Sequence, residues 1–198
     1  MPLAIDRSEL RMLGYAEFGQ LLDVLTANVM SVCVTRHLRI DVVVPILRSG
    51  SMAGCHLASR LGVTAMLPLQ YKHTYDGLMP IRRQFSMPVL EDEPRNPVVL
   101  IADTNTVTGA IAACAAREVR TRWPASTILF ASVLLDLSIE RLPDIDVLVS
   151  ARRTNERRTV SADTAAARGA SNEIQIFPWE DIDEQWAEIR ASLAENEP

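Results

Sequence analysis

The sequence predicts an α/β fold, a mainly parallel sheet flanked by helices. Short, continuous, β-branched apolar runs recur along the chain, and two of them pass through a polar loop directly into helical spacing. Taken in order, EFGQLLDVLTANVMSVCVTRHL (17–38) places apolar side chains three and four apart and predicts an amphipathic helix. IDVVVPIL (40–47) predicts a buried strand that ends at Arg48-Ser49-Gly50, and MAGCHLASRLG predicts a helix stopped by Gly62. Val63–Leu69 is expected as the next strand. From Gln70 to Pro97 the chain turns polar and carries four prolines, which predicts a long excursion or β-arm. PVVLIAD (97–103) then gives a strand, TNTVTG a turn and AIAACAAREVRTRW (110–123) a helix. STILFASVLLD (126–136) and DIDVLVSA (144–151) complete the strands, with right-handed crossovers between parallel neighbours.

The length of 198 residues suits one domain, 1–198, with its core at about 17–151, its arm at about 70–97 and a C-terminal hood and helix at about 172–195. Hydrophobic residues make up 48% and charged residues 23%, the balance of a globular chain. No apolar run is expected to reach a membrane span, and the acidic start MPLAIDRSEL is unlike a signal peptide, so a cytoplasmic protein is expected. Cys33, Cys55 and Cys114 lack metal spacing and read as small buried hydrophobes, and His37, His56 and His73 share no metal spacing either. A formal charge of −5 argues against a surface that binds nucleic acid as a whole. ARRTNERR (151–158) is a local basic cluster, read first as a solvated face paired with acids and second as a phosphate or RNA contact.

In an open α/β sheet, ligands sit at the carboxyl ends of the strands, where both strand–helix loops fall. At the first turn of a helix, backbone amides and the dipole favour an anion. Asp103 could there accept sugar hydroxyls while Thr106, Thr108 and the amides around Gly109 hold a phosphate. The plainer alternative is that Asp103 and the threonines cap the helix and make the turn.

VVLIADTNTVTG resembles the donor-binding signature of the type I phosphoribosyltransferases, and VVVPILRSGSMAG resembles their pyrophosphate loop, closest to the uracil enzymes. Between them QYKHTYDGLMPIRRQFSMP looks like the arm of those enzymes, with Tyr71, Lys72, Leu78, Pro80, Ile81, Met87 and Pro88 in comparable places. The resemblance covers about residues 40–115. It implies a three-layer fold with a β-arm and a hood from the termini, a homodimer, the donor 5-phosphoribosyl 1-pyrophosphate (PRPP) and Mg²⁺. It also implies that Asp103 holds the ribose hydroxyls and the metal. The ribose and 5-phosphate would lie against Thr104, Asn105, Thr106, Val107, Thr108, Gly109 and Ala110. Leu47, Arg48, Ser49 and Gly50 would meet the pyrophosphate, joined from the arm by Lys72, Arg82 and Arg83. Asp103, Arg48 and Lys72 are the expected catalytic residues. For Arg82 and Arg83 the alternative is a solvated basic face.

Two departures bear on the acceptor. Thr104 stands where many members carry a second acid, though the uracil enzymes lack that acid too. Val107 stands where 6-oxopurine enzymes carry an aspartate, and valine transfers no proton. The glycine-rich base-reading segment of the uracil enzymes is missing, while Phe-Pro-Trp-Glu (177–180) looks like the closing segment of xanthine/guanine-type enzymes. Phe177 or Trp179 could stack on a base, or could anchor the core or a dimer interface. The expected acceptor is therefore uracil or an unusual pyrimidine-like ring. The alternatives are a non-catalytic PRPP or nucleotide sensor and a xanthine/guanine-type enzyme.

Overall fold

The computed structural model describes residues 6–73, 81–85 and 87–194. The expectations at Leu78 and Pro80, and those on the side chains of Lys72, Ile81, Arg82 and Arg83, lie outside the described residues. In chain order the elements are β1 (Leu10–Met12), α1 (Tyr15–Thr35), β2 (Val42–Leu47), α2 (Gly50–Leu61), β3 (Leu69–His73) and β4 (Ile81–Phe85). They continue with β5 (Val98–Thr106), α3 (Ala110–Arg122), β6 (Thr127–Asp136), β7 (Val147–Thr154), α4 (Ala162–Ala167), β8 (Ile174–Ile176) and α5 (Ile182–Ala194).

Six strands form one sheet in the order β4-β3-β2-β5-β6-β7, parallel except for the antiparallel edge strand β4. Alternation along each central strand sends side chains to two separate cores. Val43, Leu100, Ala102, Leu129 and Ala131 face α1 and α2, whereas Val42, Val44, Val99, Ile101, Ile128 and Phe130 face α3. The result is three layers, helices on both faces of a sheet buried on both sides. Away from it, β1 and β8 pair in parallel, Leu10 opposite Ile174, and form the hood from the two ends of the chain.

Several local expectations change. Val63–Leu69 contributes only a bridge at Met66 to Val43, because Pro68 has no N–H to continue a ladder, and the strand starts at Leu69. β5 does not stop at Asp103: β6 runs to Asp136 and offers partners to Asn105 and Thr106, so TNTVTG is half strand and only 107–109 turn. No helix joins β6 to β7, and β1, α4 and β8 are additions. Cys55 is exposed, and Cys33 and Cys114 are only half-buried. α1 is, by length and composition, apolar enough to cross a membrane, contrary to the expectation of no such run. In the fold it lays Phe18, Leu21, Leu22, Leu25 and Val29 into the core.

Candidate active site

A cleft of about 1150 Å³ opens at the carboxyl ends of β2 and β5, beside the first residues of β3, and reaches the segment around Trp179. One end is walled by Leu47, Arg48 and Ser49, the side by Gln70, Tyr71 and Gln84 of the arm strands, and the floor by Asp103, Asn105 and Ile111. Tyr15 and the segment with Trp179, Glu180, Asp181, Glu184 and Gln185 also line it.

The loop after β2 is short because α2 begins at once. The Arg48 carbonyl accepts from the Ser51 N–H at 3.1 Å and the Ser51 hydroxyl at 2.7 Å, and the Ser49 carbonyl accepts from the Met52 N–H at 3.1 Å. The Leu47–Arg48 peptide is cis. Arg48 is exposed and makes no ion pair among the described residues. Gly50 lies behind the cleft wall, and its lack of a side chain is required: a Cβ there would stand 2.7 Å from the Ala102 carbonyl oxygen and 3.3 Å from Asp103 Cα. The two loops are therefore packed against each other, β2's loop on the end of the buried part of β5.

Asp103 has one edge in the cleft and is otherwise enclosed by protein. Burial pushes its carboxyl up to about 7, opposed by the Thr104 N–H, which donates to Oδ1 at 2.8 Å, and by Thr106. Asn105, two residues on and on the same side of β5, also lines the cleft. Its Nδ2 is 3.4 Å from both oxygens of Glu156, a residue the sequence reading missed. Burial, together with the charges of Asp136 and Glu180, pushes Glu156 up to about 7 as well.

The rest of the expected cradle divides. Thr104 and Thr106 are buried, and the Thr106 hydroxyl is bonded to Ser132 at 2.9 Å. Val107, Thr108, Gly109 and Ala110 make the turn into α3 without lining the cleft. Gly109 has φ 74°, and a Cβ there would meet Leu142 at 2.4 Å, so the turn admits only glycine. Thr108 caps the Ala110 N–H at 3.3 Å. Among the described residues, no group of three or more His, Cys, Asp or Glu is arranged to hold a metal. Of the two aromatic residues expected at a base, Trp179 lines the cleft. Phe177 is buried beneath it, their rings stacked at 5.1 Å, and both meet Phe18 edge-on. The basic cluster 151–158 is spent on structure: Arg152 pairs with Glu17 at 3.1 Å, Arg158 with Glu9, and Arg153 donates to the Ile139 carbonyl at 2.9 Å.

No family model and no curated protein sequence matches the chain. Solved structures do. A purine phosphoribosyltransferase from Pyrococcus horikoshii Ot3 matches with TM-score 0.63 at 15% identity, over 87% of this chain and 95% of that one. A Helicobacter pylori xanthine-guanine-hypoxanthine phosphoribosyltransferase matches with TM-score 0.59 at 12% identity, over 90% and 99%. A hypothetical protein from Neisseria gonorrhoeae, solved with bound ppGpp, matches with TM-score 0.58 at 14% identity, over 92% and 97%. The chain thus has the α/β fold of these phosphoribosyltransferases, a central mainly parallel sheet flanked by helices.

Proposed function

We propose that this protein transfers 5-phosphoribosyl from PRPP to a nucleobase and releases pyrophosphate. The observation that carries the reading is the contact between the two loops: Gly50 packs against Ala102 and Asp103, with a guanidinium-bearing loop and a half-buried carboxylate on one cleft. In the reaction the bond from the anomeric carbon to pyrophosphate breaks and a bond to a ring nitrogen forms. Positive charge grows on the sugar and negative charge on the leaving group, so fixed charges around both lower the barrier. Asp103 would accept the ribose hydroxyls, and Arg48 and Ser49 would meet the pyrophosphate.

Asp103 is the one carboxylate at the end of β5. It suits Mg²⁺, which is held by one or two carboxylates together with substrate phosphates. Bound with the donor, the ion would neutralise the leaving pyrophosphate. For the acceptor, Trp179, which lines the cleft, would stack on the base. The purine names of two neighbours favour a purine over the uracil that the arm resemblance implies, whereas Val107 provides no proton acceptor and favours a pyrimidine. A panel of bases decides between them. The homodimer belongs to the same proposal and is read by light scattering.

The test is thermal unfolding with PRPP and Mg²⁺, where a ligand at about 100 times its Kd stabilises by about 2.7 kcal/mol, followed by pyrophosphate release across the base panel. An unmoved transition sinks the donor reading. A second reading, a nucleotide-binding regulator, is favoured by the ppGpp-bound protein of this fold. It gains if PRPP or ppGpp binds while pyrophosphate release stays at background with every base.

A further inference from the structure

We infer that Glu118 is a positioning residue that sets the span of the donor cleft, acting through Tyr71. The inference rests on the donor reading given above. β2 and β3 run parallel with Leu47 opposite Gln70, so the next residues, Arg48 and Tyr71, leave the ladder side by side, and both line the cleft. Tyr71 does not end in solvent. Its hydroxyl donates to Glu118 Oε2 at 2.8 Å, with the Cys114 carbonyl 3.3 Å away, so two successive turns of α3 meet it. The other oxygen of the same carboxylate, Oε1, accepts from the Met87 N–H at 3.2 Å. One side chain on α3 thereby holds β3 where it enters the arm and the chain where it has returned from β4.

α3 is the helix that begins at the Gly109 turn. Glu118 lies eight residues beyond its first residue Ala110 (118 − 110), about 12 Å along a rigid rod. A bond from Tyr71 to Glu118 therefore fixes the distance between the pyrophosphate loop and the start of α3, whose Ile111 lines the cleft next to the turn proposed for the 5-phosphate. PRPP carries both anions on one ribose and must satisfy both ends at once. Pyrophosphate alone, or ribose 5-phosphate alone, engages one end and is indifferent to the span. A hydroxyl bonded to a carboxylate is also among the stronger hydrogen bonds of a protein, so its loss is measurable.

Calorimetry on the full chain with Mg²⁺ tests this using three probes: PRPP, pyrophosphate and ribose 5-phosphate. Tyr71→Phe keeps the ring and removes the hydroxyl that reaches Glu118 and the Cys114 carbonyl. It is expected to weaken PRPP about tenfold while leaving each single-anion probe within about twofold of wild type. Glu118→Ala, which also removes the partner of the Met87 N–H, should weaken PRPP at least as much, and the double variant should be no worse than Glu118→Ala alone, because Tyr71 then has no carboxylate left to lose. PRPP affinity unchanged in Tyr71→Phe overturns the inference, and so does an equal loss for all three probes. Wild-type protein that binds no PRPP overturns the donor reading and this inference with it, whereas tight wild-type binding with an indifferent Tyr71→Phe overturns this inference alone.

Discussion

Asp103 joins two demands that pull against each other. Enclosure raises its folded-state value to about 7 from 3.8, so the protonated form contributes stability that is present at low pH and is lost as pH rises through about 7. Hydroxyls of a sugar prefer the ionised form. The unliganded protein should therefore lose stability between about pH 4 and 7, while affinity for PRPP with Mg²⁺ rises over the upper part of that window. Melting curves and calorimetry across this range read both slopes. Asp103→Asn should fold, lose the affinity slope and lower kcat by roughly 100-fold or more. A flat affinity profile in the wild type would remove Asp103 from donor binding. The paired aromatic residues make a second residue-scale prediction. Trp179→Leu is expected to raise the KM of the base about tenfold, as the loss of a stacking face does, with the KM of PRPP unchanged. Phe177→Ala should instead cost about 3–5 kcal/mol of stability in urea unfolding, because its ring is core.

At the scale of elements, the close approach of α2 to β5 is the part most sensitive to one added methyl group. Gly50→Ala sets a Cβ against a backbone carbonyl that cannot rotate away. It should lower stability by about 1–3 kcal/mol and weaken PRPP, as urea unfolding and a PRPP titration will register. Full stability in that variant would mean the loops are not in contact. The β2 and β5 runs and their helices were legible in the sequence because a buried parallel strand is a continuous apolar run and its helix starts at once. The length of β5 was not. Thr104, Asn105 and Thr106 have turn-like composition and become strand only because β6, far along the chain, extends alongside them. Glu156 was hidden for the same reason: within ARRTNERR it looks like one more exposed charge, and only the register of β7 against β6 brings it behind Asn105.

Across the whole molecule, the loops proposed to hold the donor come from the middle of the chain, and the hood proposed to hold the acceptor is made by β1 and β8. A three-residue strand such as β1 or β8 has no signature of its own, so the hood was legible only through the Phe-Pro-Trp-Glu resemblance. It is fastened by charge as well as by its ladder: Arg11 of β1 grips both oxygens of Glu17 at 3.0 and 2.8 Å, and Arg152 of β7 adds a bond at 3.1 Å. Arg11 and then Arg152 hold Glu17 below the usual carboxylate range, so this tie is lost as pH falls through that lowered value. Glu17→Ala should raise the KM of the base several-fold while sparing PRPP binding, and a base KM equal to wild type would detach the hood from acceptor binding. The pairing of Leu10 with Ile174 also orders events during synthesis. Leu10–Met12, the hood's first strand, must wait unpaired until Ile174–Ile176 has been made and has emerged.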